Sequence, residues 1–154
     1  MENVVTKVEV NDQIIQVKLL NVEKNSLYVS DIFKRISSHG VNIDMISQVM
    51  LEDEVRIDFT CDKASQSQLN TALEDVKKGH PRIMIYQNCH VGKIMVEGEG
   101  MKDAVGVASR IFDIFGKKQI PMYQVTTSDT SISYVIDKEY LNIVQDEIKQ
   151  IYNL

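Results

Sequence analysis

The chain has 154 residues, of which 44% are hydrophobic and 25% charged, and a formal net charge of -5. That length holds one domain or two small ones, and the acidic balance argues against nucleic acid and anionic membrane as main partners, since both need a basic footprint. No apolar run approaches the roughly 20 residues of a membrane span, and the start Met1-Glu-Asn-Val4 lacks the basic and apolar stretches of a signal peptide, so the cytoplasm is the expected compartment.

In chain order, Thr6, Val8 and Val10 alternate with Lys7 and Glu9, a strand pattern. Ile14 to Leu20 reads as a second strand. Val29, Ile32, Phe33 and Ile36 fall at i, i+3, i+4 and i+7, the stripe of an amphipathic helix. Asn25 or Ser26 can cap its start and Gly40 its end. Val41, Ile43 and Met45 alternate with Asn42 and Asp44 as a strand, Glu52-Asp-Glu54 is a turn, and Val55, Ile57 and Phe59 alternate again. Leu69, Ala72, Leu73 and Val76 stripe a helix. Gly79-His-Pro81 then breaks the chain before a short strand, Arg82 to Tyr86.

The order β-α-β-β-α-β is the split ferredoxin-like pattern, and the second half repeats it. Lys93 to Val96 is a strand, and Val107, Ala108, Ile111, Phe112 and Phe115 stripe a helix. Met122 to Thr127 and Ile132 to Ile136 are strands, and Leu141, Val144, Ile148 and Ile151 stripe a last helix. Laying Ile32-Phe33 on Ile111-Phe112 aligns the halves at a shift of roughly 79 residues, a length that suits a duplicated small domain and not a solenoid unit. The second half lacks its fourth strand, and the N-terminal strand has no place in the first. Giving one to the other makes the first unit (14–87) an insertion in the second (4–10 plus 91–152). The expected class is α+β: two ferredoxin-like units, antiparallel sheets with helices on one face.

Catalytic machinery is not visible. Gly98-Glu-Gly100 is followed by Gly106, so the dinucleotide spacing fails, and no phosphate-cradling GxxxxGK[ST] occurs. Cys89 and His90 are adjacent, point to opposite faces of a strand and cannot share a metal. His39 and His80 sit at helix ends, where exposed histidines are ordinary. Cys61 and Cys89 read as free thiols, Cys61 as core filler. Neither a metal nor a cofactor is expected.

Val41-Asn-Ile-Asp-Met-Ile-Ser-Gln48 resembles the second-strand motif of ACT domains. Gly98-Glu-Gly-Met-Lys102, Gly106-Val-Ala108, Thr126-Thr-Ser-Asp129 and Ile132-Ser133 resemble the second ACT unit of aspartate kinases, whose pattern runs G-x-G-M, P-G-V-A, S-T-S-E and I-x-I-S. The resemblance covers essentially the whole chain. It implies a regulatory region that binds lysine or threonine and signals to an aspartate kinase catalytic domain or subunit, which phosphorylates aspartate with ATP. The K-F-G-G-T-S start of that catalytic domain does not occur, so the chain is expected to be non-enzymatic, either a small subunit or a fragment, and to form a homodimer through ACT contacts. Lys24-Asn-Ser-Leu27 departs from the D-x-P-G loop of many members, Val105 replaces a proline, and Pro121-Met122 replace N-I.

A carboxylate ligand suits the amides at a helix start. The implied effector site is therefore Asn25, Ser26, Leu27, Tyr28 and Val29 at the helix start, with Ile43, Asp44 and Gln48 on the following strand. Thr126, Thr127, Ser128 and Asp129 of the second unit are expected to face them. Asp44 would hold an ammonium through a charge-assisted bond. Two competing expectations are a dimerisation scaffold with a decayed pocket and a free-standing ACT regulator of another enzyme.

Overall fold

Alternating and helical periodicities resolve into eight strands and four α-helices in a computed structural model that describes residues 4–154. The elements are β1 (Lys7–Asn11), β2 (Ile14–Val22), α1 (Ser26–Ser38), β3 (Ile43–Met50), β4 (Val55–Asp62), α2 (Gln66–Gly79), β5 (Met84–Asn88), β6 (Val91–Glu97), α3 (Val107–Lys118), β7 (Gln124–Thr127), β8 (Ser131–Asp137) and α4 (Leu141–Ile151). They form two units. One is Gln13–Cys89; the other joins the segment ending at Asp12 to His90–Leu154.

In the Gln13–Cys89 unit the antiparallel sheet has the order β3-β4-β2-β5. Alternate residues Ile15, Val17 and Leu19 of β2 and Ile57 and Phe59 of β4 are buried with Ile32 and Ile36 of α1 and Leu69, Ala72 and Val76 of α2. Burying each of these side chains larger than alanine stabilises the fold by about 1.5–3 kcal/mol.

In the other unit the order is β1-β6-β8-β7. The N-terminal strand takes the edge beside β6, antiparallel, in register from Lys7 opposite Glu97 to Asn11 opposite Lys93. Val5 and Val8 enter the core with Ile94, Val96, Ile111, Phe115, Tyr134 and Val144. A Cβ on Gly98 would overlap the backbone of Val4, so only glycine lets the chain leading into β1 cross there. The two sheets have equivalent orders, two ferredoxin-like units with the first inserted into the second.

Three local differences from the periodicity occur, two of them with a visible physical cause. Strand β5 begins at Met84 and not at Arg82, because Pro81 and Arg82 form a turn closed by Ile83 N–H to His80 O at 3.1 Å. Strand β7 begins at Gln124. Within β3, Met45 has φ 44° and the pairing with β4 slips between Asp44 and Ser47. This bulge leaves Ile46 54% exposed and ends the simple alternation.

The histidines at the helix ends are corrected most. Arg35 on α1 bonds Asp31 and Asp75 at 2.7 Å each and lies where a Cβ on Gly79 would stand. His39 Nε2 meets Asp75 at 3.1 Å and His80 Nε2 meets Asp31 at 2.7 Å. The chain His80–Asp31–Arg35–Asp75–His39 therefore ties α1 to α2, and the His80 side chain is only 10% exposed.

Hydrogen bonds from Arg35, then His80, hold the Asp31 carboxyl below its usual range. Those from His39, and then Arg35, do the same for Asp75. Carboxyls lowered in the folded state add stability that is present above their unfolded value, near 3.9, and lost as pH falls through the lowered folded values. Arg35→Met is expected to unfold at lower urea concentration than the parent at neutral pH, with the gap closing below about pH 4. A gap independent of pH would contradict this network.

Candidate functional site

The chain enters α1 through Asn25, which is extended at φ -143° and ψ 122° and accepts from Leu27 N–H on its side-chain oxygen at 2.9 Å. The amides of Tyr28 and Val29 donate to the Asn25 carbonyl at 2.9 and 3.2 Å. Of the first four helical amides, only that of Ser26 makes no hydrogen bond among the described residues. The helix start expected to receive a carboxylate is thus largely capped by its own chain. Leu27 projects outward at 78% exposure, and Tyr28 and Val29 are half-buried.

On β3, Ile43 packs against the core, and Asp44 and Gln48 are exposed. The Asp44 carbonyl accepts from Thr60 Oγ1 at 3.2 Å. The ladder separates these residues. Asp44 lies opposite Thr60, which lies opposite Gln16 near the beginning of β2, whereas α1 follows Val22 at its end. Six strand steps at about 3.3 Å put Asp44 roughly 20 Å along the sheet from the helix start. Gln48, opposite Ile57 and so level with Leu19, is closer. The turn after β3 is at the helix-start end, since Lys24 Nζ donates to Glu52 O at 3.0 Å. One copy of the unit therefore joins Gln48 to the Asn25–Val29 end and leaves Asp44 at the other.

Thr126, Thr127, Ser128 and Asp129 lie in the second unit, on edge strand β7 and its turn into β8. Thr126 pairs with Ser133 and Thr127 with Ile132. Ser128 closes the turn: its N–H donates to Ser131 O at 2.9 Å, its hydroxyl lies 2.8 Å from that of Ser131, and Thr130 N–H reaches it at 3.3 Å. Asp129 is exposed.

The periodicities did not single out the far side of the α1 start. A cavity of about 210 Å³ opens there between the end of β2, α1 and the turn before β5. Tyr28 and His80 form part of its wall, their rings edge to face with centroids 5.1 Å apart. Asp31 and Arg35 at helical i, i+4 spacing were the signal that this face carries a polar network.

An ACT-domain family model matches residues 94–150. The aspartokinase of Geobacillus stearothermophilus is 27% identical over 98% of this chain and 36% of its own length. The chain thus spans about a third of that relative. Among solved structures, one of aspartokinase alpha and beta subunits superposes with a TM-score of 0.87 at 22% identity, covering 97% of this chain and 99% of that one. The ligand-free regulatory subunit of aspartate kinase from Thermus thermophilus gives 0.85 at 21%, covering 96% and 97%. Aspartokinase III from E. coli, in complex with lysine and aspartate, gives 0.71 at 13%, covering 97% and 33%.

The ACT match falls within the second unit, and the first unit repeats that unit's strand order. Over nearly its whole length the chain is similar to part of an aspartokinase, and it shares the fold of an aspartate kinase regulatory subunit.

Because the Asn25 side chain caps α1, Asn25→Ala is expected to destabilise the chain by about 0.5–2 kcal/mol, while Asn25→Asp retains most of the cap. Urea unfolding at neutral pH measures both. An unchanged midpoint for the alanine variant would show that the cap adds nothing.

Proposed function

We propose that this chain is an amino-acid-sensing regulatory module, with lysine as the preferred effector and threonine as the other candidate, acting on an aspartate kinase catalytic partner. The observation that carries the reading is the split of the predicted site along β3. A carboxylate recognition end, with the free Ser26 amide and Gln48, stands at one end of an exposed edge strand, and the Asp44 carboxylate at the other. Two copies joined edge to edge, antiparallel along β3, would set the helix start of each beside the Asp44 of the other.

Edge strand β3 suits such pairing. Its outer residues Ile46, Val49 and Met50 are 54%, 55% and 63% exposed, and an apolar edge of this kind gains by finding a partner. In a homodimer of that geometry lysine would place its carboxylate at Ser26 and an ammonium on Asp44. Lysine is too short to join ends that lie roughly 20 Å apart in one copy, so this reading requires two. The lysine complex of the E. coli enzyme and the alpha–beta subunit structure support an effector role and a catalytic partner by likeness. The self-capped helix start favours a second reading, a dimerisation scaffold with a decayed pocket.

Titration calorimetry with lysine and threonine, paired with light scattering, tests the proposal. Lysine is expected to bind a dimer, and Asp44→Asn to weaken it by about 1.5–3 kcal/mol, the scale of a charged hydrogen bond. Equal affinities remove Asp44 from the site. A dimer that gives no heat with any amino acid supports the scaffold reading.

A further inference from the structure

The cavity beside α1 is separate from the β3 edge, and its lining has a definite chemical character. Its floor is apolar, made by Val22, Ile32 and Ile83, which are 2%, 1% and 1% exposed. Glu23 and Arg82, both exposed, also line it, and neither side chain makes an ion pair or hydrogen bond among the described residues.

Two opposite charges thus border the same apolar hollow without an ion pair between them. The walls are fixed by bonds to the rest of the unit. His80 is held by Asp31 at 2.7 Å and packs edge-on against Tyr28. Asn21, at φ 59°, donates from its side-chain amide to the Arg82 carbonyl at 2.9 Å, linking the end of β2 to the turn before β5. A site clamped this way need not be ordered on binding, which removes one cost of association.

We infer that this cavity is a second ligand site, for a small zwitterionic amino acid with a short branched apolar side chain: the side chain on the Val22–Ile32–Ile83 floor, the ammonium at Glu23 and the carboxylate at Arg82. About 210 Å³ lies below the 300–1,000 Å³ of drug-sized pockets and selects for a small molecule. Guanidinium and carboxylate are a matched pair for geometric recognition. A lysine side chain would bring a second ammonium to an apolar floor without an acceptor, so this site discriminates against the effector assigned to the β3 edge.

The test is a titration of the full chain, labelled for amide correlation spectra, with L-valine and with its two half-ligands, isobutylamine and 3-methylbutanoate. L-valine is expected to give saturable shifts at Asn21, Tyr28, His80, Arg82 and Ile83. Each half-ligand should bind at least about tenfold more weakly, as should L-valine to Glu23→Gln or to Arg82→Ala. Both substitutions are at exposed side chains, and a preserved spectrum verifies the fold. Asp44→Asn should leave valine binding unchanged. Cavity amides that do not saturate overturn the inference, as does valine binding indifferent to loss of either charge, or valine binding abolished by Asp44→Asn. Lysine shifts confined to the β3 edge, with the cavity silent to valine, overturn this inference and leave the effector proposal standing; the reverse pattern does the opposite.

Discussion

The pairing of β1 with β6 is the constraint on which the arrangement of the chain depends. The duplicated unit needs four strands, and the segment His90–Leu154 contains only three. The missing edge comes from residues that precede the whole inserted unit. Its ladder runs from Lys7 opposite Glu97 to Asn11 opposite Lys93, extended by Thr6 N–H to Glu97 O at 2.9 Å. Val5 and Val8 cover the core that α4 leaves open, and Gln145 reaches the Val8 carbonyl at 3.4 Å. Gly98 is tied to the same contact, since any side chain there would displace the chain leading into β1. The ends of the inserted unit are thereby anchored to neighbouring strands of one sheet, the edge strand β1 before it and the interior strand β6 after it.

Function follows from where sheet edges and helix starts lie. The Gln13–Cys89 unit has a long edge at β3 with both polar and apolar side chains open, and a helix start whose amides are mostly satisfied internally. On the opposite side of that helix, the carboxylate–guanidinium–histidine chain fixes α1 against α2 and shapes a hollow. One helix thus borders two different surfaces. Under the proposed function the β3 side takes its ligand only between two copies and the cavity within one, so ligands on the two sides would respond differently to association of the chain.

Much of the fold was legible because burial imposes period on the sequence. Ile15, Val17 and Leu19 alternate because β2 has one face on the helices, and Val29, Ile32, Phe33 and Ile36 recur at helical spacing because α1 presents one stripe to that sheet. The fourth-strand deficit was legible by counting. Local errors came where a single residue overrode the period: Pro81 held Arg82 out of β5, and the left-handed Met45 put a bulge in β3. The site was less legible. Asn25 reads as a cap from its type and place, but the distance between Asn25 and Asp44 depends on the β2–β4–β3 register, which no local pattern contains. His80 looked like an ordinary helix-end residue because its partner, Asp31, is 49 positions away.

Cutting the chain at the unit boundary tests the central claim. Residues 90–154 alone should show no cooperative urea transition, because the sheet lacks an edge and the core is open. The same segment with residues 4–12 appended after Leu154 through a short Gly-Ser linker restores the uninterrupted strand order and should unfold cooperatively. If residues 90–154 alone unfold cooperatively at the same midpoint as the extended segment, β1 is not what completes the second unit and the account fails.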